Sequence, residues 1–524
     1  MSPKARAPLV AAASGLLASL AFPSAGLWPL AFVALVPLLI LLDRGARGPF
    51  DPEPVARGVR WAPWLMGGVF YALTFWWIVR LPVSAMTHPW LIYPGLIALG
   101  LYLGLYVAFF GWLVRFLRRR LGWSVLATAP FAWLVAEWLK SSGELGVTWA
   151  NLGYALAPKP VMIQAASIVG AQGLTFWIVA VNAMIAAAIL GRGWASRIGW
   201  ALVAAATLAV PVAWGAARLR HASLVPLARV AIVQPNIGSE EKWVPALQDS
   251  VVSRVEALTR EAAALEPKPS VILWPETALP YYVRLEQGKL RRLLALAKET
   301  GRPILAGYPD ARLSAEGDVR TFNAAGLVLP TGSIVGQYEK IHLVPFGERI
   351  PFQRFFPFLG SLDLGQAEWT PGNRSVVFRH AGPAFGVLIC FESIYPSLAR
   401  RYALEGAQYL VNITNDEWFG KSAGPIQHAD LAILRSVELG MGLARAANTG
   451  VSMVVDPYGR VQAKTELFVP TVIAGDVMEE IGPTTFARWG DWMTLLSIGL
   501  VLALVGVAWF RPIGARQSAA SGGR

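Results

Sequence analysis

Phe385-Gly-Val-Leu-Ile-Cys390 is an unbroken apolar run that stops at Phe391-Glu392-Ser393, and Cys390 is the one cysteine in 524 residues. A short apolar run closed by a polar turn suits a strand buried on both faces, as in the middle of a parallel sheet. A lone thiol makes no intramolecular disulfide. Its place at a strand end leaves two readings: a small buried hydrophobe, or a nucleophile presented where open α/β sheets gather their ligands.

Two more polar residues stand in comparable places. Val271-Ile-Leu-Trp274 leads into Pro275-Glu276, and Ser333-Ile-Val-Gly-Gln-Tyr338 leads into Glu339-Lys340. Each alone has a plain explanation, since a glutamate after Trp-Pro can cap a helix and a lysine at a strand end can simply be solvated. Taken together they compose a Cys-Glu-Lys set. A lysine ammonium favours a neighbouring thiolate, a carboxylate accepts the thiol proton, and the amide after the nucleophile, at Phe391, is a natural oxyanion donor. That chemistry is acyl transfer through a thioester.

The surrounding residues 226–480 alternate β-branched runs with amphipathic stretches, which predicts an α/β domain. Strands are expected at 229–234, 271–274, 303–307, 324–329, 333–338, 375–378, 386–390 and 409–413. Two more, at 451–455 and 460–463, flank the turn Asp456-Pro-Tyr-Gly459. Helices are expected at 247–265, where Val251, Val255, Leu258 and Ala262 recur at helical spacing, and at 290–300, stopped by Gly301.

The rest of the chain is of another kind. Hydrophobic residues make up 55% of the sequence, with 22 tryptophans, too apolar for an ordinary soluble protein. Residues 222–480 hold about 25 basic and about 27 acidic side chains, so the net charge of +13 resides wholly among the apolar segments. This is the pattern of basic loops beside membrane spans, and it leaves no basic groove for nucleic acid.

About eight spans are expected, near residues 8–22, 27–42, 63–79, 90–114, 123–139, 171–190, 198–215 and 492–510. The first, preceded by Lys4 and Arg6, is read as a retained span because no small-residue cleavage site precedes the second. Basic residues fall on one side: Lys4 and Arg6; Arg44, Arg47, Arg57 and Arg60; Arg115 and Arg118 to Arg120; Arg192 and Arg197; Arg511, Arg516 and Arg524. That side is expected to be cytoplasmic, with both termini, which places residues 222–480 outside it. The expected division is thus 1–221 with seven spans, 222–480 catalytic, and 481–524 with the eighth span and a cytoplasmic tail. Glu137, near the outer end of the fifth span, is expected at the interface.

Five scattered histidines show no zinc-ligand spacing, and no phosphate-binding glycine loop is present, so neither a metal nor a cofactor is expected. His342, two residues after Lys340, is expected to pack or to hydrogen-bond.

Trp274-Pro-Glu276-Thr-Ala-Leu-Pro280, Tyr338-Glu-Lys340-Ile-His-Leu-Val-Pro345-Phe-Gly-Glu348 and Leu388-Ile-Cys390-Phe-Glu392-Ser resemble, in order, the three blocks of the nitrilase superfamily. The resemblance implies an αββα sandwich with a Glu276-Lys340-Cys390 triad. With seven preceding spans and one following, nearly the whole chain resembles the apolipoprotein N-acyltransferase family of the bacterial inner membrane. That implies a multi-pass α-helical membrane domain plus an α/β nitrilase-like domain in the periplasm. It also implies a ping-pong reaction in which Cys390 takes an acyl chain, preferentially sn-1, from a phospholipid such as phosphatidylethanolamine. The thioester is then attacked by the α-amino group of a diacylated apolipoprotein's first cysteine.

By the same resemblance Glu276 is the base, Lys340 the stabiliser of thiolate and oxyanion, and Trp243, Glu348 and Glu392 are functional positions. Asn412-Ile-Thr-Asn415-Asp-Glu-Trp418-Phe-Gly420 resembles a further block that lines the site, and Phe391 stands where the family often has tyrosine. The aromatic loop Pro351-Phe-Gln-Arg-Phe355-Phe356-Pro-Phe358-Leu-Gly360 is expected to dip into the interface and gate lipid access. The alternative activity is a membrane-tethered amidase with water as second substrate, for which one anchor would suffice.

Overall fold

The computed structural model describes residues 3–23, 25–45, 57–81, 89–313, 317–353, 355–356, 358 and 368–510. Arg47, the outward loop at 82–88, positions 354, 357, 359 and 360 of the aromatic loop, and Arg511, Arg516 and Arg524 lie outside the described residues.

All eight expected spans are helical, but they differ in length. Among the described residues six segments are long and apolar enough to cross a bilayer: Trp28–Gly45, Gly58–Arg80, Ile92–Leu121, Ala166–Leu190, Trp194–Arg220 and Trp492–Phe510. The first apolar helix, Ala7–Leu20, and the fifth, Val125–Lys140 with 16 residues, are shorter. At 1.5 Å per residue the fifth is about 24 Å long, below the ~30 Å of hydrocarbon. Small residues let the helices approach: a Cβ on Gly67 would stand 2.8 Å from the Cα of Gly104, across the interface of Arg57–Thr74 with Ile92–Leu121.

Glu137 is buried within the protein. The segment after Lys140 folds back over the helix end, so Glu137 Oε1 accepts from Trp133 Nε1 at 3.0 Å and the Leu152 amide at 2.8 Å, and Oε2 from Thr175 Oγ1 at 3.0 Å. Lys140 Nζ donates to the carbonyls of Val147 and Trp149. A carboxylate among apolar helices is tolerable there because its oxygens are matched by donors.

The remaining residues form two six-stranded sheets. The first runs β12 (Thr471–Glu480), β1 (Leu224–Gln234), β2 (Val271–Leu273), β3 (Ile304–Leu313), β4 (Val319–Leu329), β5 (Ser333–Glu339). The second runs β11 (Val461–Lys464), β10 (Met453–Val455), β9 (Gly442–Ala447), β8 (Tyr409–Thr414), β7 (Phe385–Ile389), β6 (Val377–Phe378). β1, β2 and β3 are parallel, as are β7, β8 and β9, and antiparallel strands flank both trios.

Alternation decides the layers. Val230, Ile232, Val271, Leu273 and Leu305 share a core with Val387, Leu410 and Leu443 of the other sheet. Their neighbours Ala231, Val233, Ile272, Trp274 and Ile304 pack instead under the helices Gln248–Ala264 and Gln287–Thr300. Helices Pro396–Leu404 and Gly424–Leu439 lie against the second sheet, which completes an αββα sandwich.

The expected strands agree with observed ones to within a few residues. The sequence reading omitted β9, β12 and the helices Pro396–Leu404 and Gly424–Leu439. The latter is buried nearly all round, between its sheet and the helix Ala166–Leu190.

Candidate active site

β7 ends at Ile389 and the chain turns at once into a 3-10 segment, Cys390–Ile394. Cys390 itself takes φ of +52°, a left-handed conformation rare for a residue with a Cβ. Glu392 closes the turn. Its Oε2 accepts the Ile389 amide at 2.7 Å, and its Oε1 accepts the Tyr338 hydroxyl at 2.7 Å and the amides of Ile341 and His342 at 2.7 and 3.0 Å. One carboxylate thus pins the nucleophile turn to the segment after β5.

Lys340 leaves β5 with its side chain almost wholly buried and its Nζ between two carboxylates, 3.2 Å from Glu276 Oε1 and 2.9 Å from Glu348 Oε1. Asn323, from β4, donates to the same two oxygens at 2.6 and 3.3 Å. Glu276 Oε2 accepts the Asn415 amide at 2.8 Å, and Glu348 Oε2 accepts the Val344 amide at 2.9 Å. Glu276 approaches this closely because β3 carries Gly307, where a Cβ would fall on the Pro275 carbonyl.

The charges of Glu276, Lys340, Asp416 and Glu348 all act on the Cys390 thiol. Burial and then Glu276 push its pKa well up, and Lys340 opposes them, so the resting group is the thiol. For Lys340 burial favours the neutral amine, but Glu276 and Glu348 outweigh it and hold the pKa well above the usual lysine value. Burial raises Glu392 to about 7 in spite of its donors. The arrangement holds a neutral thiol beside a carboxylate and a permanent cation, a set suited to removal of the thiol proton concerted with attack.

The other sequence-derived positions divide. Asn415 joins the cluster through its amide, and its Oδ1 accepts from Asn448 Nδ2 at 3.0 Å. Phe391 is partly buried, edge-on to Tyr395. Trp243 and Trp418 are not among the buried polar groups: each is 47% exposed, on segments joined by Ser239 Oγ donating to Glu417 Oε2 at 2.7 Å. His342 stacks on Tyr395 with centroids 4.4 Å apart, and burial lowers its pKa.

Sequence reasoning missed Asn323, Asp416, His428 and Arg445. A polar residue inside an apolar run, as in Phe322-Asn323-Ala324 and Ala444-Arg445-Ala446, was the available signal. Cys390, Asp416 and His428 offer a sulfur, an oxygen and a nitrogen within 4.8 Å of one another, a possible set of metal ligands. Arg445 stands against that use. Its Nη2 lies 2.8 Å from Asp416 Oδ2 and 3.1 Å from His428 Nδ1, where its charge would repel a cation.

Residues 229–485 match the carbon-nitrogen hydrolase family, and residues 14–184 match the apolipoprotein N-acyltransferase N-terminal domain. Fold and site together define a membrane-embedded member of the nitrilase superfamily. The apolipoprotein N-acyltransferase of Geobacter metallireducens is 35% identical over 95% of this chain and 94% of its own length. That of Brucella melitensis is 34% identical over 96% of each. This chain belongs to the apolipoprotein N-acyltransferase family. A crystal structure of an amidase from Nesterenkonia sp. is 20% identical, with a TM-score of 0.38, over 53% of this chain and 98% of that one.

Proposed function

We propose that the protein transfers an acyl chain from a phospholipid, through a thioester on Cys390, to the α-amino group of the diacylated cysteine that begins an apolipoprotein. This is the closing acylation of lipoprotein maturation. In the first half-reaction Cys390 Sγ attacks the ester carbonyl, sn-1 in a donor such as phosphatidylethanolamine, while Glu276 takes the thiol proton. The C–O bond breaks and Glu276 returns the proton to the departing lysophospholipid oxygen. In the second, the lipoprotein amine attacks the thioester, Glu276 removes its proton, and the C–S bond breaks to regenerate the thiol. Lys340 and the Phe391 amide face the oxyanion of each tetrahedral intermediate.

The observation that carries this reading is the buried Lys340 shared by Glu276 and Glu348, whose charges reach Cys390 at the left-handed turn after β7. The arrangement of the helical half also supports it. Segments that touch the catalytic half, at Trp77, Thr148, Tyr154 and Arg218, alternate along the chain with the basic turns. Arg120 of one basic turn reaches the carbonyl of Trp509, at the far end of the last span from Trp492, which bonds Ile168. Basic turns toward the cytoplasm put the catalytic half in the periplasm, against the outer leaflet of the inner membrane.

The test uses purified protein, a phospholipid labelled in its acyl chain, and a diacylated lipopeptide added second. A covalent acyl adduct that moves to the peptide amine, and is absent in Cys390→Ala, is the expected result. Release of free fatty acid without peptide product would instead identify a hydrolase.

A further inference from the structure

Three side chains meet the Cys390 carbonyl. Ser393 Oγ lies 3.1 Å from this oxygen, Asn412 Nδ2 3.4 Å and His428 Nε2 3.2 Å. His428 is fully buried, and its other ring nitrogen, Nδ1, lies 2.8 Å from Asp416 Oδ1. Asp416 is bound in turn by Thr414 Oγ1 at 2.9 Å and by Arg445 Nη2 at 2.8 Å. Arg445 also bonds the Asn412 side chain and, through Nε, the Val451 carbonyl. The imidazole is clamped from its edge by side chains of the sandwich.

Its face is covered from elsewhere. Trp149, in the turn after the fifth helix of the membrane half, stacks on His428 with centroids 5.4 Å apart and planes at 27°. Trp149 is itself anchored twice. Its carbonyl accepts from Lys140 Nζ at 2.9 Å, and its Nε1 donates to Gln427 Oε1 at 2.9 Å, on the helix that carries His428.

A left-handed conformation at a residue with a Cβ is strained and persists only where the surroundings impose it. The peptide unit is planar and trans, so the Cys390 carbonyl and the Phe391 N–H point in opposite directions. A grip on the carbonyl from below therefore aims the Phe391 N–H away from His428, toward the side on which an oxyanion would form.

We propose that His428 is a positioning residue for acyl transfer: its Nε2–H holds the Cys390 carbonyl and so orients the Phe391 amide, while Asp416, Arg445 and the membrane half's Trp149 hold the ring. The Cys390 carbonyl beside Nε2 calls for a hydrogen on that nitrogen, while Nδ1 lies between Asp416 Oδ1 and the Arg445 Nη2 donor. Burial and Arg445 lower the ring's pKa, and the Asp416 carboxylate works against them. The inference deepens the proposed function and rests on Cys390 being the nucleophile.

Oxyanion stabilisation acts on the transition state and hardly on substrate binding, so its loss falls on kcat and not on KM. Alkylation of a thiol by iodoacetamide passes through no oxyanion, so it reports the thiol's access and reactivity alone. The experiment takes full-length protein in phospholipid vesicles and compares His428→Leu, His428→Gln and Trp149→Leu. His428→Leu is expected to lower kcat about 100-fold, as loss of one oxyanion donor does, with KM and Cys390 alkylation each within about threefold of wild type. His428→Gln, which keeps a donor, is expected to retain kcat to within about tenfold. Trp149→Leu is expected to lower kcat about tenfold with alkylation unchanged, and stands in if His428→Leu does not fold.

Wild-type kcat in His428→Leu, a parallel fall of kcat and alkylation, or a glutamine variant no better than leucine would each overturn the proposal. Wild-type kcat in Trp149→Leu would overturn the part given to the membrane half. Full activity of His428→Leu beside a dead Cys390→Ala sinks this inference alone, whereas acyl transfer by Cys390→Ala sinks the proposed function beneath it.

Discussion

Cys390, Glu276 and Lys340 share a site too small and too dry for independent charges. With the thiol protonated at rest, Glu276→Gln cannot take the proton and should lose more than about 100-fold in transfer while remaining folded. Lys340→Ala should lose as much, and an active variant would remove its assignment to the oxyanion. Folding should be checked for the lysine variant in particular, because Glu276 and Glu348 would then face each other without their shared cation. Asp416 gives a pH signature. Burial would raise its pKa, but Arg445 and His428 prevail and lower it to about 2. A depressed folded-state pKa contributes stability above the unfolded value near 4, lost as pH falls through about 2. The deficit of Asp416→Asn in thermal unfolding should therefore shrink between about pH 5 and pH 2; a constant deficit would contradict the ion pair. At this scale the sequence was legible where a polar residue follows a strand, as Glu276, Lys340 and Cys390 do. For Asn323 and Arg445 its one signal was a polar residue inside an apolar run, and it was silent for His428, whose partners Cys390 and Asp416 come from distant segments.

The turn after β7 depends on Glu392, which accepts four donors from two separate segments. Glu392→Gln would set an amide NH2 against buried N–H groups, each unmet donor costing about 1–3 kcal/mol. A drop in unfolding temperature of several degrees is expected, and an unchanged one would show that the turn holds without it. The aromatic loop is the other element with a separable role. Its phenylalanines Phe352, Phe355, Phe356 and Phe358 are exposed, and the Phe352 amide donates to Glu144 of the membrane half at 2.5 Å. Such rings suit the lipid interface. Replacing Phe355 and Phe356 by serine should slow acylation by vesicle phospholipid more than by a short soluble ester, and equal losses would refute gating. Strand periodicity marked most of the sheets in advance. β9 was hidden because Gly442-Leu-Ala-Arg-Ala-Ala447 has little β-branched character and owes its strand to pairing on both sides, with β8 and β10.

In the whole molecule the membrane half does more than anchor. Thr148 and Tyr154 donate to the Ile394 carbonyl, Trp149 covers His428, and Glu438 of the sandwich accepts the Ala171 amide. The proposed orientation rests on the basic turns and is open to labelling. In a Cys390→Ala background, a cysteine at Arg192 should react with a membrane-impermeant maleimide only after the inner membrane is opened, and one at Lys268 before it; the reverse order would invert the topology. The linear chain was enough to reveal two halves, most strands and the basic turns, and to single out Glu276, Lys340 and Cys390, because hydropathy, period and a polar residue after an apolar run are local properties. The folded chain alone decided that Glu137 is buried among donors, that the apolar helices differ in length, and that His428, Arg445 and Trp149 stand behind Cys390. Those outcomes depend on which distant donors and acceptors meet in space, and no local pattern carries that information.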